Sequence, residues 1–168
     1  MDNKKLLELL NKQYNFEIES AYIYKAMSLW AEKENWPGVA NFLHQQALEE
    51  MFHASKLQNY LLDIDYDVKL TAISEPKAEY SSLKEVFTEA LEHEKQVTSN
   101  FMEIMKKAKE VSDYQTEIQA QWFLTEQVEE EATFNDLILT LERINDSAAG
   151  LFQFDAQLAQ RSFSKPQA

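Results

Sequence analysis

The chain has no cysteine, only two glycines and only three prolines. Without cysteine it can form no disulfide, thiolate metal site, iron–sulfur cluster or thiol nucleophile, which fits a reducing compartment, and we expect a cytoplasmic protein. Scarce glycine and proline leave few turn signals and favour long helices. The sequence also lacks a run of transmembrane length and the apolar region of a signal peptide, so we expect no membrane association.

Basic residues are also in short supply. The formal net charge is −13, from 29 acidic and 16 basic residues. Nucleic acid is therefore not expected as a partner, because phosphate binding requires a basic face. Cations are the more natural ligands, although an acidic surface can also serve solubility alone.

Helical periodicity predicts four long helices and a short fifth one in a single domain of residues 1–168. The predicted helices are 4–33, 37–64, 82–110, 113–143 and 147–160. Short links make each of the first two pairs an antiparallel hairpin, and Pro37 falls in a first helical turn, where proline is tolerated.

The segment 65–81 has no clear helical pattern, contains Pro76 and alternates apolar residues at Tyr66, Val68 and Leu70. About 17 extended residues can reach about 55 Å, which exceeds the length of a helix of about 45 Å. The segment can therefore run the whole length of a bundle. The predicted fold class is all-α, a four-helix bundle with one long crossover between helices 2 and 3 and a short C-terminal fifth helix.

Polar residues interrupt the apolar inward stripe of every long helix near its middle. They are Glu17, Glu50, His53, Glu94, Gln127 and Glu130. The two hairpins repeat the same spacing, since 94 − 17, 127 − 50 and 130 − 53 all equal 77 residues. Counted from the turns, all six fall within about one helical turn of a common level.

This convergence predicts a dinuclear metal site. Unpaired buried carboxylates cost several kcal/mol each, and the stripes contain no inward lysine or arginine to neutralise them. Two divalent ions would balance the four glutamates. Any one of these residues or motifs alone is weak evidence for a metal site. A lone Glu-x-x-His is common on exposed helices, and a lone buried glutamate is usually a local hydrogen-bond partner. Oxygen ligands with one imidazole suit iron or manganese and favour redox chemistry over hydrolysis.

Tyr24 lies one heptad after Glu17 on the same stripe. It can hydrogen-bond a ligand carboxylate or donate an electron, and its alternative interpretation is an ordinary core tyrosine.

The pattern resembles the bacterial non-haem ferritins over essentially the whole chain. The matching residues are Glu17, Tyr24, Glu50-x-x-His53, Glu94, and Gln127-x-x-Glu130 within segment 122–131. The resemblance implies a ferritin-like di-iron domain that oxidises Fe(II) with O2 or H2O2 and deposits ferric mineral for storage. It also implies a homo-oligomeric shell of 24 subunits with octahedral symmetry, in which the fifth helix lines the four-fold axis.

The same resemblance assigns roles to individual residues. It implies that Glu17, Glu50 and His53 hold one iron, and that Glu50 bridges to a second iron held by Glu94 and Glu130. Gln127 would lie beside the bridge as a weak ligand or as a hydrogen-bond partner of bound oxygen. A third iron site is implied at Glu49, Glu126, Glu129 and Glu130. On spacing alone, a solvated acidic helix face explains that third set equally well.

Related classes differ at identifiable positions. Met51 beside Glu50 also occurs in bacterioferritins. The bacterioferritin pattern, however, is a symmetric site with a second Glu-x-x-His, where this chain has Gln127-x-x-Glu130. We therefore expect no haem. A rubrerythrin-like protein would need cysteines, and DNA-protecting miniferritins place iron between subunits. A haem-containing bacterioferritin-like protein, a soluble di-iron oxidase and a metal-free interaction bundle remain as alternatives.

Large apolar residues off the inner stripes also predict assembly, because a monomer would expose too much of them. These residues are Leu6, Phe16, Tyr22, Ile23, Leu29, Trp30, Phe42 and Phe52.

Overall fold

The structure is a computed structural model that describes residues 2–164. Within that range it contains five α-helices and no strand. They are α1 (Asp2–Lys33), α2 (Pro37–Asp63), α3 (Leu83–Glu110), α4 (Tyr114–Ile144) and α5 (Ala148–Leu158). The predicted all-α fold, a four-helix bundle with one long crossover and a short fifth helix, is confirmed. No helix end differs from its expected position by more than two residues.

The helices end without the help of glycine. The residues with positive φ are Asn35, Asp65, Ser112, Asn145 and Asp146, and neither glycine adopts a positive φ. Asparagine and aspartate tolerate the left-handed region better than other side chains because they can hydrogen-bond locally. A chain with two glycines can therefore still make four tight helix ends, and its glycines are left for close packing.

Helix starts follow the local capping rules. The side chain of Ser82 accepts a hydrogen bond from the Glu85 N–H, and Asp113 accepts one from Thr116. Pro37 stands in the first turn of α2, where a missing N–H costs nothing. These caps satisfy N–H groups that would otherwise lack a partner and fix where each helix begins.

The bundle core consists of two apolar clusters with a polar layer between them. Tyr24, Phe87 and Phe134 belong to one cluster. The other includes Phe101 and Phe123, whose rings stack with centroids 4.3 Å apart. Aromatic packing on both sides removes the intervening layer from water, so any polar group there must find its partners inside the protein.

The crossover runs along the bundle in an extended conformation, without forming a strand. Two asparagines of α1 hold it: Lys69 N–H donates to Asn11 Oδ1 and Thr71 N–H donates to Asn15 Oδ1, both at 2.8 Å. Tyr66 and Val68 pack against the second apolar cluster, whereas Leu70 is 74% exposed. The alternating apolar residues of this segment are therefore not all turned toward the bundle.

Three residues expected to be exposed are buried within the subunit. Leu6 is 0%, Trp30 6% and Phe42 4% exposed. Trp30 packs edge-on against Tyr80 of the crossover at 5.4 Å, and the Arg161 guanidinium lies 4.3 Å from the Phe42 ring. The crossover and the C-terminal tail thus cover apolar surface that helix periodicity assigned to the outside.

Two of the remaining residues do face solvent. Tyr22 is 50% and Leu29 60% exposed, and the two lie seven residues apart on one face of α1. Phe16, Ile23 and Phe52 are half-buried. Within residues 2–164, none of the helices is both long enough and apolar enough to cross a membrane.

Candidate metal centre

All six predicted polar residues lie in the layer between the two apolar clusters. Their exposed fractions range from 0% to 7%. They come from all four long helices: Glu17 from α1, Glu50 and His53 from α2, Glu94 from α3, and Gln127 and Glu130 from α4. The arrangement follows from helix length, because the middle of each helix falls at the middle of the bundle.

Glu17, Glu50 and His53 form the most compact group. Each offers one ligand atom, and these atoms lie within 4.8 Å of one another. His53 Nδ1 is 3.6 Å from Glu50 Oε2, and the imidazole packs edge-on against the Trp122 and Phe123 rings at 5.7 Å. These two aromatic rings fix the orientation of the His53 imidazole.

Unsatisfied atoms show where a cation fits this group. Glu17 Oε2, Glu50 Oε2 and His53 Nε2 are buried and have no hydrogen-bond partner among the described residues. A buried acceptor without a partner costs about 1 to 3 kcal/mol, and more when it is charged. A divalent cation would satisfy both carboxylate oxygens, so the donor set fits a metal ion of the kind that binds oxygen and imidazole.

Glu94 stands across the layer and is held by two donors. Tyr24 donates its phenolic proton to Glu94 Oε1, and the Gln127 amide donates to Glu94 Oε2 at 2.8 Å. The Gln127 amide also donates to the Glu94 carbonyl at 3.1 Å. Tyr24 and Gln127 therefore both orient this carboxylate.

Sequence reasoning missed two glutamines that orient the other carboxylates. The amide of Gln13 donates to Glu17 Oε1 at 2.7 Å. Gln46 donates to Glu50 Oε1 at 3.2 Å and to Glu130 Oε2 at 2.8 Å, and so links α2 to α4. The available signal was the repeated Gln-x-x-x-Glu spacing, because residues four apart lie on one helix face.

Protons neutralise much of the layer when no metal is bound. Burial raises the pKa of Glu17 well above its ordinary value, and the charge of Glu50 raises it further. Burial and the charge of Glu50 raise the pKa of Glu94 to about 8. Burial likewise raises the pKa of Glu130 well above the ordinary value, with the charge of Glu94 adding to the shift. All three glutamates are therefore easier to protonate than a solvated glutamate, and Glu94 is mostly protonated at neutral pH.

Glu50 and His53 form the remaining charged pair. Burial by itself raises the pKa of Glu50, but the adjacent His53 and its positive charge outweigh burial, so the pKa is lowered. Burial disfavours the imidazolium, but the adjacent Glu50 carboxylate outweighs burial and raises the pKa of His53 to about 9. A metal ion must displace these protons, so its binding is coupled to proton release.

The predicted third set is only partly brought together. Ligand atoms of Glu49 and Glu126 lie within 4.8 Å of one another and of one from His53. Glu129 is exposed and Glu130 is turned toward Gln46, so neither belongs to this group. Arg161 Nη2 pairs with Glu49 Oε2 at 2.6 Å, a contact that sequence spacing gave no means of finding.

The chain is similar to known proteins over most of its length. Residues 7–144 match the family model described as a ferritin-like domain. The bacterial non-heme ferritin of Staphylococcus aureus (strain MRSA252) is 41% identical over 165 residues, covering 98% of this chain and 99% of that protein.

Solved structures with the same fold also superpose closely on this chain. A humanized archaeal ferritin superposes with a TM-score of 0.94 at 33% identity, covering 96% of this chain and 98% of the other. An open pore ferritin from Archaeoglobus fulgidus superposes with a TM-score of 0.92 at 35% identity, covering 94% and 98%.

Proposed function

We propose, from the premise that the chain belongs to the ferritin family, that this iron-storage protein oxidises Fe(II) in its buried polar layer before storing the ferric product. One observation carries the proposal. Glu17, Glu50 and His53 converge, and each of them has one buried side-chain atom that lacks a partner among the described residues. That donor set suits Fe(II), which here is the substrate.

In this proposal the layer holds two ferrous ions within a single ferritin-like di-iron domain spanning residues 1–168. Glu17, Glu50 and His53 bind one ion, and Glu50 bridges toward a second bound by Glu94 and Glu130. Tyr24 and Gln127 orient Glu94, and in this proposal Gln127 also lies beside the bound oxidant. Carboxylate ligands stabilise the ferric state over the ferrous state, which favours electron loss.

The redox balance is simple. Two Fe(II) ions each lose one electron, and O2 takes up two electrons and two protons to become H2O2. Where H2O2 is the oxidant, two electrons and two protons convert it to two waters. Protons displaced from Glu94 and His53 on ion binding are available within the same layer.

The test is a double substitution, Glu50→Gln with His53→Gln, assayed by adding ferrous iron anaerobically and then admitting air. We expect the initial rate of ferric absorbance to fall by at least about 100-fold, because two of the three ligands of the first ion are removed. Zinc should inhibit the wild type by competing for the same ligands. The matched control is Glu103→Gln, an exposed glutamate of α3. Equal rates in the double variant and the control would refute the assignment.

Three finer points belong to the same proposal. Glu49 and Glu126, next to His53, provide a third iron site on the way from the centre to the mineral cavity. The subunits form a shell of 24 with octahedral symmetry, with α5 at the four-fold axis, and the protein is cytoplasmic. Support for assembly comes from the ferritins to which the chain is similar and from the exposed apolar face of α1.

A further inference from the structure

The tail that follows α5 lies across the face of α2 next to the metal centre. Asn41 Nδ2 donates to the carbonyls of Leu158, Ala159 and Arg161 at 3.2, 3.3 and 2.9 Å. One turn further along α2, Gln45 Oε1 accepts the Phe163 N–H at 2.9 Å. Two side chains of α2 therefore hold four backbone groups, one at the end of α5 and three in the tail, which fixes the path of the tail.

The contact between α5 and the start of α2 fixes the point from which the tail leaves. Asp155 of α5 accepts the Val39 N–H at 2.8 Å, and so caps the start of α2. A Cβ added at Gly38 would lie 1.7 Å from the Asp155 carbonyl oxygen, so the two helices touch backbone to backbone. Only glycine permits this approach.

This path brings Arg161 to a carboxylate of the metal centre. Its Nη2 lies 2.6 Å from Glu49 Oε2, with the two side chains 23% and 16% exposed. The guanidinium also packs 4.3 Å from the Phe42 ring centroid. Its Nη1 is buried without an acceptor among residues 2–164. The guanidinium is thus held in place by packing as well as by charge.

Glu49 also belongs to the group that could hold an ion with His53 and Glu126. A guanidinium already bound to one oxygen of Glu49 competes with any metal for that carboxylate, because both are cations that need it. Among the ion pairs of the described residues, this one alone joins a lysine or arginine to a carboxylate of either metal group.

We propose that Arg161 is a built-in counter-cation of the third site, which holds Glu49 in place and lowers the affinity of that site for a metal ion. The inference rests on the proposed function, since it concerns an ion next to the di-iron pair. Its consequence is that an ion at Glu49 is held weakly and can pass on toward the cavity. Arg161 is a positioning residue in this scheme.

The experiment measures equilibrium binding of zinc, a redox-inactive probe, to the assembled, metal-free protein by dialysis and elemental analysis. We compare the wild type, Arg161→Gln, Arg161→Lys, and the double variant Glu49→Gln with Arg161→Gln. The matched control is Arg143→Gln, which removes the only other arginine of the chain, an exposed residue of α4. Size-exclusion chromatography establishes that each variant assembles as the wild type does.

In Arg161→Gln we expect the third zinc ion per subunit to bind about tenfold more tightly, which corresponds to about 1.4 kcal/mol. The two tightest ions should be unaffected, and Arg143→Gln should match the wild type. Arg161→Lys keeps the charge and the apolar stem over Phe42 but loses the planar fork, so its gain should be smaller. The gain should vanish in the double variant, because it acts through Glu49.

The outcomes separate this inference from the proposed function. A third ion bound equally or more weakly in Arg161→Gln, with two tight ions retained, overturns the role of Arg161 and leaves the di-iron proposal intact. A gain that persists without Glu49 also overturns it. A wild type that binds no pair of ions in its core removes the proposed function, and this inference with it.

Discussion

Buried glutamates without a nearby lysine or arginine can be neutralised by metal ions or by protons. Sequence reasoning considered metal ions only. The structure adds the second route, because burial raises the pKa of Glu94 to about 8 and the Glu50 carboxylate raises that of His53 to about 9. The metal-free layer is therefore tolerable at neutral pH, and metal binding exchanges protons for cations.

This exchange predicts the pH dependence of stability. The folded state holds a proton on Glu94 between pH 4.5 and about 8, and on His53 between 6.5 and about 9, where the unfolded chain does not. The free energy of unfolding of the metal-free protein should therefore fall as pH rises through these windows, by on the order of a few kcal/mol. Calorimetric melting in the presence of a chelator, from pH 5 to 9, measures this.

Glu94→Gln is the comparison that isolates the effect. Glutamine resembles the protonated glutamate but cannot titrate, so the variant should lose stability less steeply with rising pH. Zinc affinity of the wild type should rise over the same range, because deprotonated ligands bind the ion. A wild-type slope retained in full by Glu94→Gln would contradict the assignment of that proton.

At the scale of elements, the two glycines serve packing. Gly38 allows α5 to touch α2, and Gly150 packs against the Ile144 side chain. Both lie in the first turn of a helix, and glycine is a poorer helix former than alanine. The cost at Gly38 is offset by the docking of α5, which in turn directs the tail and Arg161 toward Glu49.

Replacing these glycines by alanine should therefore have unequal effects. At Gly38 the new methyl group would lie 1.7 Å from a backbone oxygen, so α5 must move and the cap on α2 is lost. We expect Gly38→Ala to destabilise the subunit by about 1 to 3 kcal/mol. Gly150→Ala meets Ile144 Cγ2 at 2.8 Å, so it also requires a displacement, but of a side chain and not of backbone, and it gains helix propensity.

Thermal unfolding of the two variants checks this difference. Gly150→Ala is the control, since the chemical change and the kind of host element are the same. Equal melting temperatures for the two variants would show that the approach of α5 to α2 does not constrain position 38.

At the scale of the whole molecule, assembly depends on the apolar residues that stay exposed on the surface of the folded subunit. Leu6, Trp30 and Phe42 are already covered within the subunit, so they contribute nothing to an interface in this conformation. Tyr22 and Leu29 are half or more exposed on one face of α1. Burial of such residues between subunits is the ordinary source of stability in an oligomer.

We expect the combined substitution Tyr22→Asp and Leu29→Asp to dissociate the shell, because it would place carboxylates in an apolar interface. Native light scattering coupled to size-exclusion chromatography should show a wild type of about 24 subunits and a variant of far smaller mass. Unchanged helicity by circular dichroism would show that the subunit still folds. A variant that assembles like the wild type would place the interface elsewhere.

Much of the fold and site was predictable because helical periodicity is local. Glu17, Glu50 and Glu94 each lie near the middle of a regular helix, so their common level follows from counting residues to the turns. Prediction failed where the partner was distant along the chain. Arg161 and Glu49 are 112 residues apart, and no periodicity connects a tail to the second helix. Likewise, nothing local indicates that the crossover covers Trp30.

The sequence by itself determined the helices, their inward polar residues and the kind of cation these residues suit, because each follows from side-chain chemistry and a fixed period of 3.6 residues. The tertiary structure alone decided which apolar faces are covered, which carboxylates hold protons, and that Arg161 lies against Glu49. These depend on burial and on the paths of the crossover and tail, and both are set by contacts between residues far apart in the chain.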